Sequence, residues 1–254
     1  MIKLFRNIRQ RLLSEGKTGK YFKYAIGEII LVVIGILIAL QINNWNEGRK
    51  TRATEKVYLE NIKVDLQLNQ KSLKTFIETR QETITSVDSI LVFFENDKVV
   101  NLNTFNFHCI TVLGWYPYEQ HDNTYQELLN SGKLSILSDK SIKNSLQNLQ
   151  SNLKTVRFIE SEMEEDYERY LYEPFFSTLD LHTSLKNFKA QTRKDKPIAI
   201  LDSSEVHLLL KNKTFKNGFV LAAFNSEDLI GEYKNMIATI NQLIILIDKN
   251  LDNH

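Results

Sequence analysis

The longest apolar stretch of the chain lies near its beginning, between Tyr24 and Ile42, and contains one acidic residue, Glu28. At about 1.5 Å per helical residue, a run of this length crosses a bilayer core of roughly 30 Å. A cleaved signal peptide has a shorter apolar core, of roughly 7 to 15 residues, and small residues at its cleavage site. Here Ala39-Leu40-Gln41 places an amide at that point. The pattern therefore predicts an uncleaved transmembrane anchor at residues 24–44.

Basic residues on the two sides of this run predict its orientation. Seven lysines and arginines precede it and four follow it: Lys3, Arg6, Arg9, Arg11, Lys17, Lys20 and Lys23 against Arg49, Lys50, Arg52 and Lys56. Because the more positive flank stays in the cytoplasm, residues 1–23 are predicted to be a basic, amphipathic cytoplasmic segment. Residues 45–254 then form an extracytoplasmic domain.

Beyond the anchor, apolar residues recur at intervals of seven in three long segments, a pattern typical of helices with one buried face. The first segment extends to about Phe94. It carries two such tracks: Leu59, Leu66, Leu73, Val87 and Phe94 on one, and Ile62, Phe76 and Ile90 on the other. Polar residues interrupt these tracks at Asn69, Arg80 and Thr83.

The second segment runs from Lys140 to about Pro174 and is interrupted by Glu160 alone. Its tracks are Ile142, Leu149, Val156, Met163 and Tyr170, and Leu146, Leu153 and Tyr167. The third segment ends the chain, with Ile230, Ile237, Ile244 and Leu251 on one track, Tyr233, Ile240 and Ile247 on the other, and Phe219 and Ala223 upstream. Both segments are predicted to be long helices with one buried face.

Shorter helices are predicted between these segments. They are Thr104–Leu113, where a strand is the alternative, a helix capped by Asn123 and ended by Gly132, and Ser203–Leu210 with Ser203 as its cap. Ser138 or Asp139 is expected to cap the second long helix. Arg193 to Pro197 is expected to be a loop.

These elements predict a mainly α fold. It consists of a single N-terminal transmembrane helix followed by an extracytoplasmic antiparallel helical bundle of about three long helices plus short helices. A second copy of the chain is an alternative partner for the buried faces, as in a dimeric coiled coil. The polar interruptions favour a bundle within one subunit.

Composition narrows the function classes. The formal net charge of +1 gives no basic field that would attract nucleic acid, and no nucleic-acid partner is expected. The single cysteine, Cys109, excludes an intrachain disulfide, so stability has to come from packing. The five histidines stand at none of the spacings typical of metal sites, and the common nucleotide-binding and hydrolase motifs are absent from the sequence. We therefore assign no catalytic residue, no cofactor and no metal ligand.

An aromatic loop, Gly114-Trp-Tyr-Pro-Tyr118, is the first candidate site. Tryptophan and tyrosine combine apolar area with a polar tip, which suits a ligand pocket, and His121-Asp122 beside the loop is the best lead for enzyme chemistry. The possible pocket comprises Trp115, Tyr116, His121, Asp122 and Tyr125. The alternative is that the loop simply caps one end of the bundle.

A stripe on the anchor is the second candidate site. Gly35 and Ala39 lie within about 40° of the direction of Glu28 on a helix, so small residues and one acid share a face that could dock another helix. The alternative is that Glu28 only reaches the lipid headgroups or pairs with a nearby lysine.

The stretches GEIILVVIGILIALQINNWNE (27–47) and TYQELLNSGKL (124–134) resemble a family of Bacteroidota-type single-pass membrane proteins known only as a domain of unknown function. The resemblance covers most of the chain and weakens past residue 175. It implies a protein of the bacterial inner membrane with a periplasmic helical domain, and it supplies no activity or site residues.

Two functions are therefore expected. The first is a membrane-anchored periplasmic helical module that binds a ligand, a membrane or periplasmic protein, or a second copy of itself. The second is a periplasmic enzyme with a site in the aromatic segment 105–125. In both, the lipid bilayer is a partner of the anchor.

Overall fold

The computed structural model describes residues 18–96, 101–194 and 199–252. The predicted amphipathic segment before Thr18 and the end of the loop at Pro197 lie outside these ranges. Every regular element within them is helical: α1 Thr18–Glu95, α2 Leu102–Leu113, α3 Asn123–Asn130, a 3-10 turn Lys133–Ile136, α4 Lys140–Asp166, a π-helical segment Tyr167–Tyr172, α5 Glu173–Thr178, α6 Leu181–Thr192, α7 Ser203–Leu210 and α8 Lys213–Asp252. The prediction of a mainly α protein is confirmed, and 104–113 is helical rather than a strand.

The chain divides into two compact units, and the boundary falls within α1 between Val57 and Tyr58. In the first unit, every residue from Ile29 to Trp45 is exposed. Among the helices of the described ranges, α1 is the one that is long and apolar enough to cross a membrane. None of the residues in its apolar stretch is buried. A helix that is apolar on all sides is unfavourable in water, because each Å² of apolar surface removed from water lowers the free energy by about 25 cal/mol.

The second unit buries one face of each long helix. Both predicted tracks of α1 are buried from Leu59 to Ile90, and the interrupting residues Asn69, Arg80 and Thr83 are buried with them. In α4 the tracks from Ile142 to Met163 are buried or half-buried, and Glu160 is buried too. The heptad pattern therefore marks the buried faces correctly, and the polar interruptions belong to these faces.

Pairs of residues along α8 show the direction of its neighbours. From α1, Lys63 pairs with Asp248 and Phe76 packs against Tyr233. From α4, the buried Glu160 lies at Tyr233 and Asp166 bonds to Asn225. As the residue number rises along α1 or α4, the number of its partner on α8 falls, so α8 runs opposite to both helices.

One heptad track on α8 was predicted one residue out of place. Tyr233, Ile240 and Ile247 are fully buried as expected, and Ile230 of the other predicted track is buried too, but the fully buried residues beside it are Leu229, Met236 and Leu243. Ile237, Ile244 and Leu251 lie half-buried on its flank, and Ala222 is buried in place of Ala223. Both sets fit a helical period, so the sequence alone did not separate them.

A further shift occurs at the π-helical segment. A π-helix accommodates one extra residue per turn, and the track through Met163 accordingly continues at the fully buried Leu171 instead of the predicted Tyr170, which is half-buried. Tyr167 of the other track is buried as predicted. Pro174 follows at the start of α5, where its missing N–H is tolerated more easily than inside a regular α-helix.

Side chains cap several of these helices. The carboxylate of Asp139 accepts hydrogen bonds from the backbone N–H groups of Ser141 and Ile142, so it is the cap of α4. Asp202 instead of the predicted Ser203 caps α7. Asp122 instead of Asn123 occupies the N-cap position of α3, without a capping hydrogen bond. The turn after α3 contains Gly132 in the left-handed conformation with φ of 68°, which glycine adopts without strain.

Candidate functional site

Asn69, the first polar interruption of α1, holds the end of the aromatic segment. Its Nδ2 donates to the carbonyl of His121 at 2.7 Å, and its Oδ1 accepts from the N–H of His121 at 2.7 Å and from the Tyr118 hydroxyl at 2.8 Å. Asn69 and Tyr118 are both buried. All three bonds reach a segment about fifty residues away in the chain, so this amide fixes the segment onto α1.

Arg80, the second interruption, lies under the aromatic loop. Its Nη2 donates to the carbonyl of Tyr116 at 3.0 Å, and its guanidinium carbon is 5.7 Å from the centre of the Trp115 ring. Arg80 is 1 % exposed, so its charge is removed from water. The ring of Trp115 therefore meets a buried cation, which is a favourable contact for an aromatic face.

Glu160, the interruption on α4, holds the loop from the other side. Its Oε1 accepts from the backbone N–H of Tyr118 at 2.6 Å and from the Tyr233 hydroxyl at 3.3 Å, and its Oε2 accepts from Arg157 at 3.2 Å. Burial raises the pKa of the Glu160 carboxyl, and the Tyr118 N–H and the charges of Arg157 and Arg80 counteract this shift. Glu160 and Arg80 thus partly balance each other's charge.

Ring contacts complete the support of the segment. The Tyr118 ring makes a T-shaped contact with Phe76 at 5.4 Å and a tilted contact with Tyr233 at 5.9 Å between centroids. Tyr116 makes a T-shaped contact with Phe76 at 5.1 Å. Trp115 lies 5.5 Å from Tyr167 of the π-helical segment. Tyr118 is fully buried, whereas Trp115 is half-buried and Tyr116 is 51 % exposed. The segment is therefore fixed at Tyr118 and presents its first two rings outward.

These two rings line a cavity of about 390 Å³. The remainder of the lining comes from the loop residue Pro117, from α4 and from the π-helical segment: Arg157, Glu160, Ser161, Glu164, Glu168 and Tyr172. The Tyr172 hydroxyl donates to the carbonyl of Leu113 at 3.1 Å, and its ring stacks on Phe176 at 5.5 Å. The volume lies in the range of roughly 300 to 1,000 Å³ that is usual for small-molecule sites.

The predicted pocket residues divide between two places. Trp115 and Tyr116 line the cavity, but His121, Asp122 and Tyr125 are not among its lining residues. Asp122 accepts from the side-chain amides of Gln126 at 2.8 Å and Gln150 at 3.4 Å. Tyr125 is buried, and this burial, together with the charge of Asp122, raises the pKa of its hydroxyl. Arg157, Glu160, Glu164 and Glu168 were not predicted for this site. Glu160 had a signal, because it is the acid that interrupts a buried track.

A second, more open groove of about 900 Å³ lies between α1, α2 and α6. Its lining is rich in hydroxyl groups, including those of Thr79, Thr85 and Thr111, and also contains the stacked rings of Phe107 and Phe188, whose centroids are 5.4 Å apart. At the same face, His108 Nδ1 lies 3.2 Å from the Ser86 hydroxyl. Burial lowers the pKa of His108 and raises that of the neighbouring, fully buried Cys109.

The described residues contain no group of three or more His, Cys, Asp or Glu side chains arranged to hold a metal ion. In the first unit, Gly35 and Ala39 are exposed and Glu28 is half-buried. A side chain added at Gly35 would meet no atom within 4 Å. Docking of another helix on this stripe stays a prediction.

Fold and site together describe a mainly helical protein with one exposed apolar helical stretch and an aromatic cavity in its second unit. The chain belongs to a family of unknown function (DUF6090), whose model matches residues 28–193. The match includes most of the apolar run, Asn69, Arg80 and every residue that lines the aromatic cavity, and it ends before α7 and α8. No curated protein and no solved structure matches the chain.

Proposed function

We propose that this chain is a single-pass protein of the bacterial inner membrane. Residues 24–44 would cross the bilayer with residues 1–23 in the cytoplasm, and the second unit would be a periplasmic antiparallel helical bundle. Two features support this proposal. The apolar side chains from Ile29 to Ile42 are exposed on all sides of α1. The basic residues are more numerous before this run than after it, as expected for a cytoplasmic N-terminus.

We further propose that the second unit is a binding module whose site is the aromatic cavity. The observation that carries this proposal is that Asn69, Arg80 and Glu160 fix the backbone of the segment while Trp115 and Tyr116 remain at the cavity wall. Large exposed rings held in place by buried hydrogen bonds lose little conformational freedom on binding, and such preorganisation favours affinity. A loop that only capped the bundle would have no need to keep Tyr116 half exposed.

The enzyme alternative has less support. It relied on His121 and Asp122, which lie away from the lining of both cavities described above. The backbone of His121 is held by Asn69, and Asp122 is bonded to two glutamine amides, as expected for structural roles. A helix of another membrane protein, or a second copy of the chain, is proposed as the partner of the Glu28, Gly35 and Ala39 stripe.

Tryptophan fluorescence offers a direct test of the binding proposal. The chain has two tryptophans, so Trp45→Phe leaves Trp115 at the cavity as the sole emitter. The full-length Trp45→Phe protein in uncharged detergent micelles would be titrated with four classes of small molecule: organic cations, carboxylates, neutral sugars and neutral amphiphiles. At least one class is expected to change the Trp115 emission in a saturable manner.

The matched variant is Tyr116→Ala on the same background. It removes one wall of the cavity but leaves the carbonyl that Arg80 bonds. The saturable response should be lost in this variant while the thermal unfolding midpoint changes little. If none of the four classes gives a saturable response, or if the response is equal in Tyr116→Ala, the cavity is not a binding site and the proposal is wrong.

A further inference from the structure

The lining of the aromatic cavity combines rings with acids. Glu160, Glu164 and Glu168 are spaced four residues apart, so α4 and the start of the π-helical segment bring all three to one wall. The lining also contains three rings, those of Trp115 and Tyr116 from the loop and that of Tyr172, which follows Glu168 in the π-helical segment. Aromatic faces carry negative electrostatic potential, so both components of this lining favour positive charge.

The charges of the cavity are not balanced by its own residues. Arg157 is the one cation of the lining, and it bonds to Glu160, which is already buried and bonded to the Tyr118 N–H. Glu164 and Glu168 are exposed, and neither forms an ion pair with a described residue. Their charges also act on the cavity wall, because they contribute to the raised pKa of the Tyr172 hydroxyl, after the larger effect of burial.

The buried Arg80 does not reverse this balance. It lies outside the lining, next to the Trp115 ring. Even when its charge is counted with that of Arg157, the three glutamates leave the site negative. Glu164 and Glu168 are therefore the groups at the cavity whose charges have no protein counterpart in the described part of the chain.

We infer that the cavity binds a small organic cation, an alkylammonium or quaternary ammonium group, with its charge at Glu164 and Glu168 and its apolar surface against Trp115, Tyr116 and Tyr172. This inference deepens the proposed function and rests on it. Organic cations are recognised by aromatic faces together with carboxylates, whereas an anion would meet two uncompensated acids. A neutral ligand could donate hydrogen bonds to these acids but would gain no charge attraction from them.

Choline and its uncharged isostere 3,3-dimethylbutan-1-ol are suitable probes, because they share one shape and differ in charge. Binding of each to the full-length Trp45→Phe protein would be measured by saturation-transfer NMR and by Trp115 emission, in uncharged micelles without choline lipids. We expect choline to bind at least about tenfold more tightly than the isostere, in line with the strength of cation–π contacts. High salt should weaken the binding of choline and leave that of the isostere unchanged.

Two double variants separate local charge from general charge. Glu164→Gln with Glu168→Gln removes the acids of the lining and should weaken choline binding about tenfold or more. Glu162→Gln with Glu165→Gln changes the same number of exposed acids, both on α4, but neither residue lines the cavity. Choline affinity in this control should stay within about twofold of the parent. All four positions are exposed, so folding should be unaffected, and thermal unfolding verifies it.

The outcomes separate the inference from the proposed function. Equal binding of choline and its isostere, or equal effects of the two double variants, would show that the site does not select a cation. If choline fails but another class in the four-class titration gives a saturable Trp115 response that Tyr116→Ala abolishes, the inference falls and the binding proposal stands. If no class gives such a response, both fall.

Discussion

Asn69 and Thr83 occupy equivalent positions on one heptad track of α1, and both are buried, yet their side chains act differently. The Thr83 hydroxyl bonds to the carbonyl of Thr79 in its own helix at 3.1 Å. Asn69 bonds to the distant Tyr118 and His121. A polar interruption in a buried track therefore has two possible meanings, and the partner decides between them.

This difference leads to a prediction about Asn69→Leu. Leucine completes the apolar track, so the heptad pattern alone predicts a more stable protein. The structure predicts the opposite, because the N–H and carbonyl of His121 and the hydroxyl of Tyr118 would lose their partner. At roughly 1–3 kcal/mol for a buried polar group left unsatisfied, we expect a loss of about 2–4 kcal/mol in the free energy of unfolding. Denaturant unfolding of the full-length Trp45→Phe protein, followed by Trp115 emission, measures it.

Thr83→Val is the matched control. It removes a hydroxyl that satisfies only its own helix and keeps the branched shape of the side chain. Its effect should stay within about 1 kcal/mol. A stabilised Asn69→Leu, or equal losses in the two variants, would contradict the role given to Asn69.

His108 gives a prediction about pH. Burial lowers the pKa of its imidazole in the folded protein below the ordinary value of 6.5. The unfolded chain therefore binds more protons between these two pKa values, and the contribution of His108 to stability is present above pH 6.5 and is lost as the pH falls below it. In His108→Asn, the fall in the free energy of unfolding between pH 7 and pH 5 should be smaller than in the parent. Denaturant titrations at several pH values test this, and parallel pH profiles would refute it.

At the scale of elements, the π-helical segment approaches α8 closely at Gly218. A Cβ built on Gly218 would lie 2.8 Å from Cδ2 of Leu171 and 2.9 Å from Cβ of Tyr170. The Leu171 side chain can move, but Cβ of Tyr170 is fixed to its backbone. The absence of a side chain at Gly218 thus permits the extra residue of the π-helical turn to pack against α8.

Gly218→Ala should therefore destabilise the second unit, although alanine is the better helix former. We expect a loss of about 1–3 kcal/mol in the free energy of unfolding, as is usual for overpacking. Gly231→Ala lies in the same helix with no atom within 4 Å of the added group, and it should gain up to about 1 kcal/mol from helix propensity. The two variants have the same chemistry, so effects of the same sign in denaturant unfolding would show that the contact at Gly218 is not tight.

Much of the fold could be predicted from the local pattern of apolar residues, and the incorrect predictions have local physical causes. The tracks of α1 and α4 predicted the buried faces because burial and helical period act on the same residues. The shift from Tyr170 to Leu171 was not predictable from a regular period, since the π-helical segment leaves no distinct residue signature.

For the site, Trp115 and Tyr116 stood out as large rings in a loop. Glu164 and Glu168 resembled any solvated acidic face, because only the folded chain brings them into one cavity lining with those rings.

At the scale of the whole molecule, the two units differ in where their apolar residues lie. In the second unit apolar residues of the long helices face a shared core, whereas from Ile29 to Ile42 they surround α1 on every side. The first arrangement suits a domain in water and the second suits lipid. This contrast is the physical basis for proposing that one chain works in two environments, with the cavity outside the membrane.

Measuring the membrane topology of the chain tests this central proposal most directly. Alkaline phosphatase, which is active only outside the cytoplasm, and a green fluorescent protein that fluoresces only inside it would each be fused after residue 254. Matched fusions after residue 23 are expected to report the cytoplasm. For the C-terminal fusions we predict an active phosphatase and a dark fluorescent protein. An inactive phosphatase paired with a fluorescent C-terminal fusion would place the cavity in the cytoplasm and contradict the account.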